Sequence, residues 1–117
     1  MGEENRQYNR IKINRKIFIR QSNGEVVTAT ACDISLGGVG LICEYGCDVG
    51  QQFEVSVNLT GNPKLGPIQA KAQVRFVNLI GGIDSYRIGL EFLQFKGQSQ
   101  SVLEHYIEMR KAQPTWV

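Results

Sequence analysis

Residues 68–76 read IQAKAQVRF, and their apolar and polar side chains alternate strictly. Because successive side chains of a strand point to opposite faces, this period of two predicts a β-strand with one buried side and one solvent-facing side. The apolar positions, from Ile68 to Phe76, then face a core, while Lys71 and Arg75 face solvent. Such a half-buried strand is typical of an antiparallel sheet.

Similar short runs lie on both sides of this strand, separated by glycine-containing turns. They occupy residues near 13–20, 26–34, 39–43, 53–59 and 86–92. About six half-buried strands indicate a closed antiparallel barrel or a small sandwich, and a barrel leaves no open edge. After the strands, Ser101 and Glu104 match a capping box, which predicts a C-terminal helix of about ten residues that packs its apolar stripe on the strands.

The 117-residue chain fits a single domain, and its formal net charge of +2 is unevenly distributed. Residues 1–20 hold six basic and two acidic residues, whereas residues 21–63 hold five acidic residues and no lysine or arginine. We therefore divide the chain into an N-terminal arm (1–12), a barrel with its helix (13–111) and a tail (112–117). A short basic arm suits a small, highly charged anion, and we expect no nucleic acid polymer as a partner.

Other features exclude several classes of protein. The chain has no apolar run long enough to span a membrane and no apolar signal segment at its N-terminus. We therefore expect a cytoplasmic protein or the cytoplasmic domain of a membrane protein. Three cysteines and one histidine do not supply a four-ligand zinc site or a nucleophile–base pair. We therefore expect free thiols, no metal, no cofactor, no catalytic residues and no enzyme activity.

Two short motifs stand out from this framework. Arg6 and Arg10 form an RxxxR spacing in the arm, and Asp33, Ser35 and Gly38 form a DxSxxG spacing where a strand gives way to a turn. Each motif alone is weak, because arginine pairs are frequent and Asp-x-Ser before glycine commonly ends a strand. Together, on either side of one strand pair, they are much more specific.

With these motifs the sequence resembles the PilZ domain family, and residues 86–92, YRIGLEF, are similar to the family's closing strand. The resemblance covers about residues 5–111. It implies a six-stranded antiparallel β-barrel with a C-terminal α-helix and a flexible N-terminal arm. It also implies a bacterial receptor for the second messenger cyclic di-GMP, of a kind associated with exopolysaccharide synthesis, motility and biofilms. The ligand residues that it implies are Arg6, Arg10, Asp33, Ser35, Gly37 and Gly38, to which the strand phase adds Arg75 and Arg87.

The chemistry of the ligand fits these residue types. A guanidinium donates paired hydrogen bonds to the O6/N7 edge of guanine or to phosphate, and it stacks on a purine face. The Asp33 carboxylate accepts hydrogen bonds from the N1–H and N2–H groups of guanine, and Ser35 adds a small donor or acceptor. Gly37 and Gly38 would let the backbone approach the ligand closely. Asn5, before the first motif arginine, leaves open whether one or two ligand molecules bind.

We therefore expect a non-enzymatic receptor whose arm closes over cyclic di-GMP. An ordered arm would change the surface offered to a protein partner or an attached effector domain. Two alternatives remain open. One is a PilZ-like barrel that acts as a ligand-free interaction module. The other is a barrel that binds single-stranded nucleic acid, which requires surface aromatics along a basic groove.

Overall fold

A computed structural model describes residues 10–60 and 65–112 as six strands and one helix. Each strand pairs antiparallel with two neighbours, and the barrel closes in the order β1-β2-β3-β6-β5-β4. The prediction of a six-stranded antiparallel barrel with a C-terminal helix is confirmed. The elements are β1 (Ile11–Arg20), β2 (Val26–Ile34), β3 (Gly38–Cys43), β4 (Gln52–Val57), β5 (Ile68–Ile80), β6 (Ser85–Phe95) and α1 (Ser99–Ala112).

The barrel interior is filled by the apolar side chains of the alternating strands. In β5 the inward positions from Ile68 to Val74 are buried, as the sequence pattern predicts. Each fully buried Val, Leu or Ile side chain contributes roughly 1.5–3 kcal/mol relative to its exposed state. The largest fully buried side chains in this core are Ile17, Ile34, Leu41, Leu59, Ile68 and Leu103.

Helix α1 packs against the barrel through Leu103, Tyr106 and Ile107, which belong to the same apolar cluster as the strands. The helix begins at Ser99, earlier than the capping box at Ser101 indicates. Ser99 is buried, and its Oγ accepts a hydrogen bond of 2.8 Å from the backbone N–H of Gln69. The start of the helix is therefore attached to the start of β5.

A β-bulge interrupts the β5–β6 ladder at Arg75. Val74 pairs with Leu90 and Phe76 pairs with Gly89, so Arg75 is the extra residue of β5. Because a bulge shifts the phase of all following side chains, Phe76 lies on the outer wall with 40% of its surface exposed. The alternation predicted an inward Phe76, and this prediction is wrong.

Candidate functional site

Asp33 lies between two guanidinium groups on the outer wall of the barrel. Arg10, which precedes β1, places Nη1 2.6 Å from Asp33 Oδ1. Arg87, in β6, places Nη2 3.8 Å from Asp33 Oδ2. Only 17% of the Asp33 side chain is exposed. We call these three residues the Asp33 cluster; it brings together residues from three separate parts of the sequence.

A second β-bulge directs Asp33 to this wall. On β2, Ala31 pairs with Leu41 and Asp33 pairs with Gly40, so Cys32 is the extra residue. Both Ala31 and Ile34 face the core as a result, and the carboxylate between them faces outward. Without the bulge, Asp33 would share the inward face with Ala31, where an unpaired carboxylate is unfavourable. The bulge therefore brings the carboxylate into the Asp33 cluster.

The rest of the DxSxxG motif forms the turn between β2 and β3. The buried Ser35 accepts a hydrogen bond of 3.1 Å at Oγ from the Gly37 N–H. Its own N–H donates to the Gly38 carbonyl at 2.9 Å, and Phe92 N–H donates to the Gly37 carbonyl at 2.9 Å. These bonds hold the turn against β6.

Gly38 is required by the packing of the barrel itself. A Cβ atom at this position would lie 2.1 Å from the Leu90 carbonyl oxygen on β6. The close approach that Gly38 permits in this structure is therefore to a neighbouring strand. A close approach of Gly37 or Gly38 to the ligand stays a prediction.

The other predicted arginines differ in their surroundings. Arg75 lies at the bulge of β5, and its Nη1 is 3.2 Å from Glu91 Oε1. Glu91 is the cross-strand partner of Gly38, so Arg75 reaches the neighbourhood of the motif turn through an ion pair. Arg75 thus forms an ion pair with Glu91, whereas Arg10 and Arg87 pair with Asp33. Arg6 lies outside the described residues.

Two residues near the Asp33 cluster, Gly40 and Phe76, were not among the site residues predicted from the sequence. Four successive cross-strand partners run around the outer wall in the order Asp33, Gly40, Gly89, Phe76. The Phe76 ring lies over Gly89, since a Cβ there would be 2.1 Å from the ring. The sequence did contain a signal for them, because Gly40 lies inside β3 and Gly89 inside β6. A glycine inside a strand often marks a place where another group approaches the backbone closely.

Cys32 adjoins the Asp33 cluster. Burial raises the pKa of the Cys32 thiol above its ordinary value, Arg87 opposes this rise and Asp33 adds to it. The thiol is therefore neutral near physiological pH and is not an activated nucleophile.

A metal site and a membrane-spanning helix are two further possibilities for the part of the chain that the structure describes. Its His, Cys, Asp and Glu residues form no group of three or more that could hold a metal ion. Across the same residues, no helix has the length and apolar character needed to cross a membrane.

A groove of about 650 Å³ lies on a different part of the outer wall, lined mainly by residues of β1, β4, β5 and β6. Glu54 in this groove is bonded to Arg20, and Lys71 and Lys96 are close enough to act on it electrostatically. The hydrogen bond from Arg20 is the main cause that lowers the pKa of Glu54. We call these four residues the Glu54 cluster. None of the predicted ligand residues that the structure describes lines this groove.

Comparisons with solved structures place this architecture among known proteins. The chain is similar to the Bacillus subtilis inhibitor of motility MotI/DgrA, with a TM-score of 0.75 and 21% identity, over 92% of this chain and 51% of that one. It thus spans about half the length of that protein. The PilZ domain of Escherichia coli YcgR with cyclic di-GMP matches with a TM-score of 0.71 and 20% identity, over 92% of both chains.

The complex of K. pneumonia MrkH with cyclic di-GMP matches with a TM-score of 0.70 and 19% identity, over 88% of this chain and 51% of that one. At these identities the structural similarities establish the fold. A search of curated proteins found no significant match. The sequence model of the PilZ domain, however, matches residues 4–109. Since this match includes both motifs, the barrel and most of the helix, the chain belongs to the PilZ domain family.

Proposed function

We propose that this domain is a non-enzymatic receptor that binds cyclic di-GMP on the outer wall of the barrel, against the Asp33 cluster. The observation that carries the proposal is the position of the Asp33 carboxylate between Arg10 and Arg87. Membership of the PilZ family supports it, as do the fold neighbours whose structures contain cyclic di-GMP.

The cluster offers groups that complement a guanine nucleotide. The Asp33 carboxylate accepts hydrogen bonds from the N1–H and N2–H groups of guanine, while Arg10 and Arg87 donate to phosphate or to the O6/N7 edge. Arg75 and the exposed face of Phe76 add a cation and an aromatic surface for stacking. Arg6 joins Arg10 in holding the ligand from the arm.

The effect of ligand binding is then transmitted to helix α1 through the start of β1. Arg110 of α1 donates a hydrogen bond of 2.8 Å from Nη2 to the Lys12 carbonyl and also bonds the Tyr106 hydroxyl. Lys12 lies two positions after Arg10, so movement of Arg10 onto the ligand acts on this contact. We propose that the arm and α1 together form the surface that a partner or an attached effector domain reads, in the bacterial cytoplasm.

Isothermal titration calorimetry with cyclic di-GMP tests the proposal. We expect the wild-type protein to bind and Arg10→Ala to bind at least about tenfold more weakly, because it loses charge-assisted hydrogen bonds. Arg20→Ala is the matched control, since Arg20 is also an exposed arginine paired with a carboxylate, but in the Glu54 cluster. Its affinity should equal that of the wild type.

Other outcomes would separate the alternatives. Absence of heat with the wild-type protein would contradict the proposal and favour a ligand-free interaction module. Retention of a single-stranded oligonucleotide in a filter-binding assay at moderate salt, without cyclic di-GMP binding, would favour the nucleic-acid-binding barrel. Undiminished affinity in Arg10→Ala would remove this arginine from the mechanism.

A further inference from the structure

Gly40 is a glycine whose backbone conformation does not require glycine. It lies within β3 and pairs with Asp33 on one side and Gly89 on the other. The glycines with positive φ are Gly24, Gly50, Gly66, Gly82 and Gly97, so Gly40 is not among them. Glycine inside a strand is unfavourable, because it loses more conformational freedom than other residues and packs no side chain. The reason for glycine here is therefore space.

The Asp33 carboxylate occupies that space. A Cβ atom at Gly40 would lie 2.8 Å and 2.9 Å from the two carboxylate oxygens and 3.1 Å from Asp33 Cγ. Ordinary van der Waals contacts begin at 3.4 Å, which is 0.6 Å longer than the shortest of these distances. The carboxylate consequently lies flat over the β3 backbone, and this position keeps it within 2.6 Å of Arg10.

We propose that Gly40 is a positioning residue of the ligand site. By carrying no side chain, it allows the Asp33 carboxylate to lie between Arg10 and Arg87, in the orientation that receives guanine. This inference rests on the proposed function. An alanine methyl group would push the carboxylate away from β3, and Asp33 has only two rotatable side-chain bonds with which to recover its contacts.

The barrel itself should tolerate this substitution. The atoms that must move belong to the end of a side chain on the outer wall, unlike at Gly38, where the obstructing atom is the Leu90 carbonyl oxygen. Alanine also reduces the conformational freedom of the unfolded chain. We expect the melting temperature of Gly40→Ala to differ from that of the wild type by less than about 5 °C.

A double-mutant cycle measured by calorimetry with cyclic di-GMP separates positioning from a general structural effect. Gly40→Ala should lower the affinity at least about tenfold, as expected for a misplaced charge-assisted hydrogen bond. In an Asp33→Ala background the same substitution should have no further effect, because no carboxylate remains to be displaced. Gly81→Ala is the control, since a Cβ there meets nothing within 4 Å and its φ is not positive.

The outcomes distinguish this inference from the proposed function. Absence of binding by the wild-type protein contradicts the proposed function alone, and a crystal structure of Gly40→Ala then tests the positioning directly. Displacement of the carboxylate from Arg10 supports the inference, whereas an unchanged contact overturns it. Equal affinity of Gly40→Ala and wild type, additive effects with Asp33→Ala, or a large loss of thermal stability would each overturn it as well.

Discussion

Asp33 and Glu54 are both carboxylates on the outer wall that pair with arginine, but they lie on different kinds of backbone. Glu54 belongs to a regular ladder, in which Arg20 and Lys71 are its direct cross-strand partners. Asp33 follows a bulge and faces Gly40, which has no side chain. The Asp33 side chain is 17% exposed, whereas that of Glu54 is 48% exposed.

The two carboxylates therefore have different surroundings, although both pair with arginine. A regular ladder brings opposite charges together through register alone, and such exposed pairs contribute little because water and salt screen them. The part of the outer wall around the bulge at Cys32, which we call the irregular wall, instead brings together Arg10, Asp33 and Arg87. It also removes part of the Asp33 carboxylate from water. We therefore expect substitutions around Asp33 to alter folding or ligand binding, and substitutions around Glu54 to alter neither strongly.

The largest effect on stability should come from Gly38→Ala, where β3 packs closely against β6. Its Cβ would lie 2.1 Å from the Leu90 carbonyl oxygen and 3.3 Å from Glu91 Cα, so β3 and β6 would have to separate. We expect the free energy of unfolding to fall by about 3 kcal/mol or more, as for severe overpacking. Urea unfolding followed by circular dichroism measures this loss. Wild-type stability in Gly38→Ala would show that the two strands can move apart freely.

The second prediction concerns ligand affinity and compares alanine substitutions of the two carboxylates. Asp33→Ala should weaken cyclic di-GMP binding about tenfold to a hundredfold, because it removes the proposed acceptor for guanine and the carboxylate that pairs with Arg10 and Arg87. Glu54→Ala removes a carboxylate of the regular ladder and should leave the affinity unchanged. Calorimetry on both variants provides the measurement. A similar loss in both would mean that overall charge, and not the position of Asp33, governs binding.

The regular parts of this barrel could be predicted from the sequence because they depend on local periodicity. The alternation of residues 68–74 correctly identified the inward face of β5. It failed at Phe76, because the bulge at Arg75 depends on the register with β6 and leaves no clear mark in β5 alone. Asp33 was located through its motif, whereas alternation would have placed it on the inward face with Ala31.

The contacts within the site were less predictable for the same reason. Gly40 acts through Asp33 and Gly89 accommodates Phe76, and each of these pairs joins two strands whose register the sequence does not state. The resemblance to a family therefore identified the motif positions. The three-dimensional structure was needed to find the glycine that makes room for the carboxylate.

A smaller effect should come from Ser35→Ala, in the turn that adjoins the Asp33 cluster. This substitution removes the hydroxyl that accepts the Gly37 N–H in a buried position. We expect a loss of about 1 kcal/mol in the free energy of unfolding, the usual contribution of one such hydrogen bond. Urea unfolding measures the loss, and Ser56→Ala, on the regular wall of β4, serves as the control. Equal stability of both variants would show that the turn does not depend on this bond.

The smallest effect should come from Glu54→Gln. The hydrogen bond from Arg20 lowers the pKa of Glu54, so its carboxylate is stabilised in the folded state relative to the unfolded chain. That contribution is present above the ordinary pKa of glutamate and is lost as the pH falls through the lowered value. We expect the variant to be slightly less stable near pH 7 at low ionic strength, and equally stable in acid or at about 1 M salt. Urea unfolding at both ionic strengths measures the difference. If the stability difference persisted at high salt, Glu54 would contribute more than an exposed ion pair that salt screens.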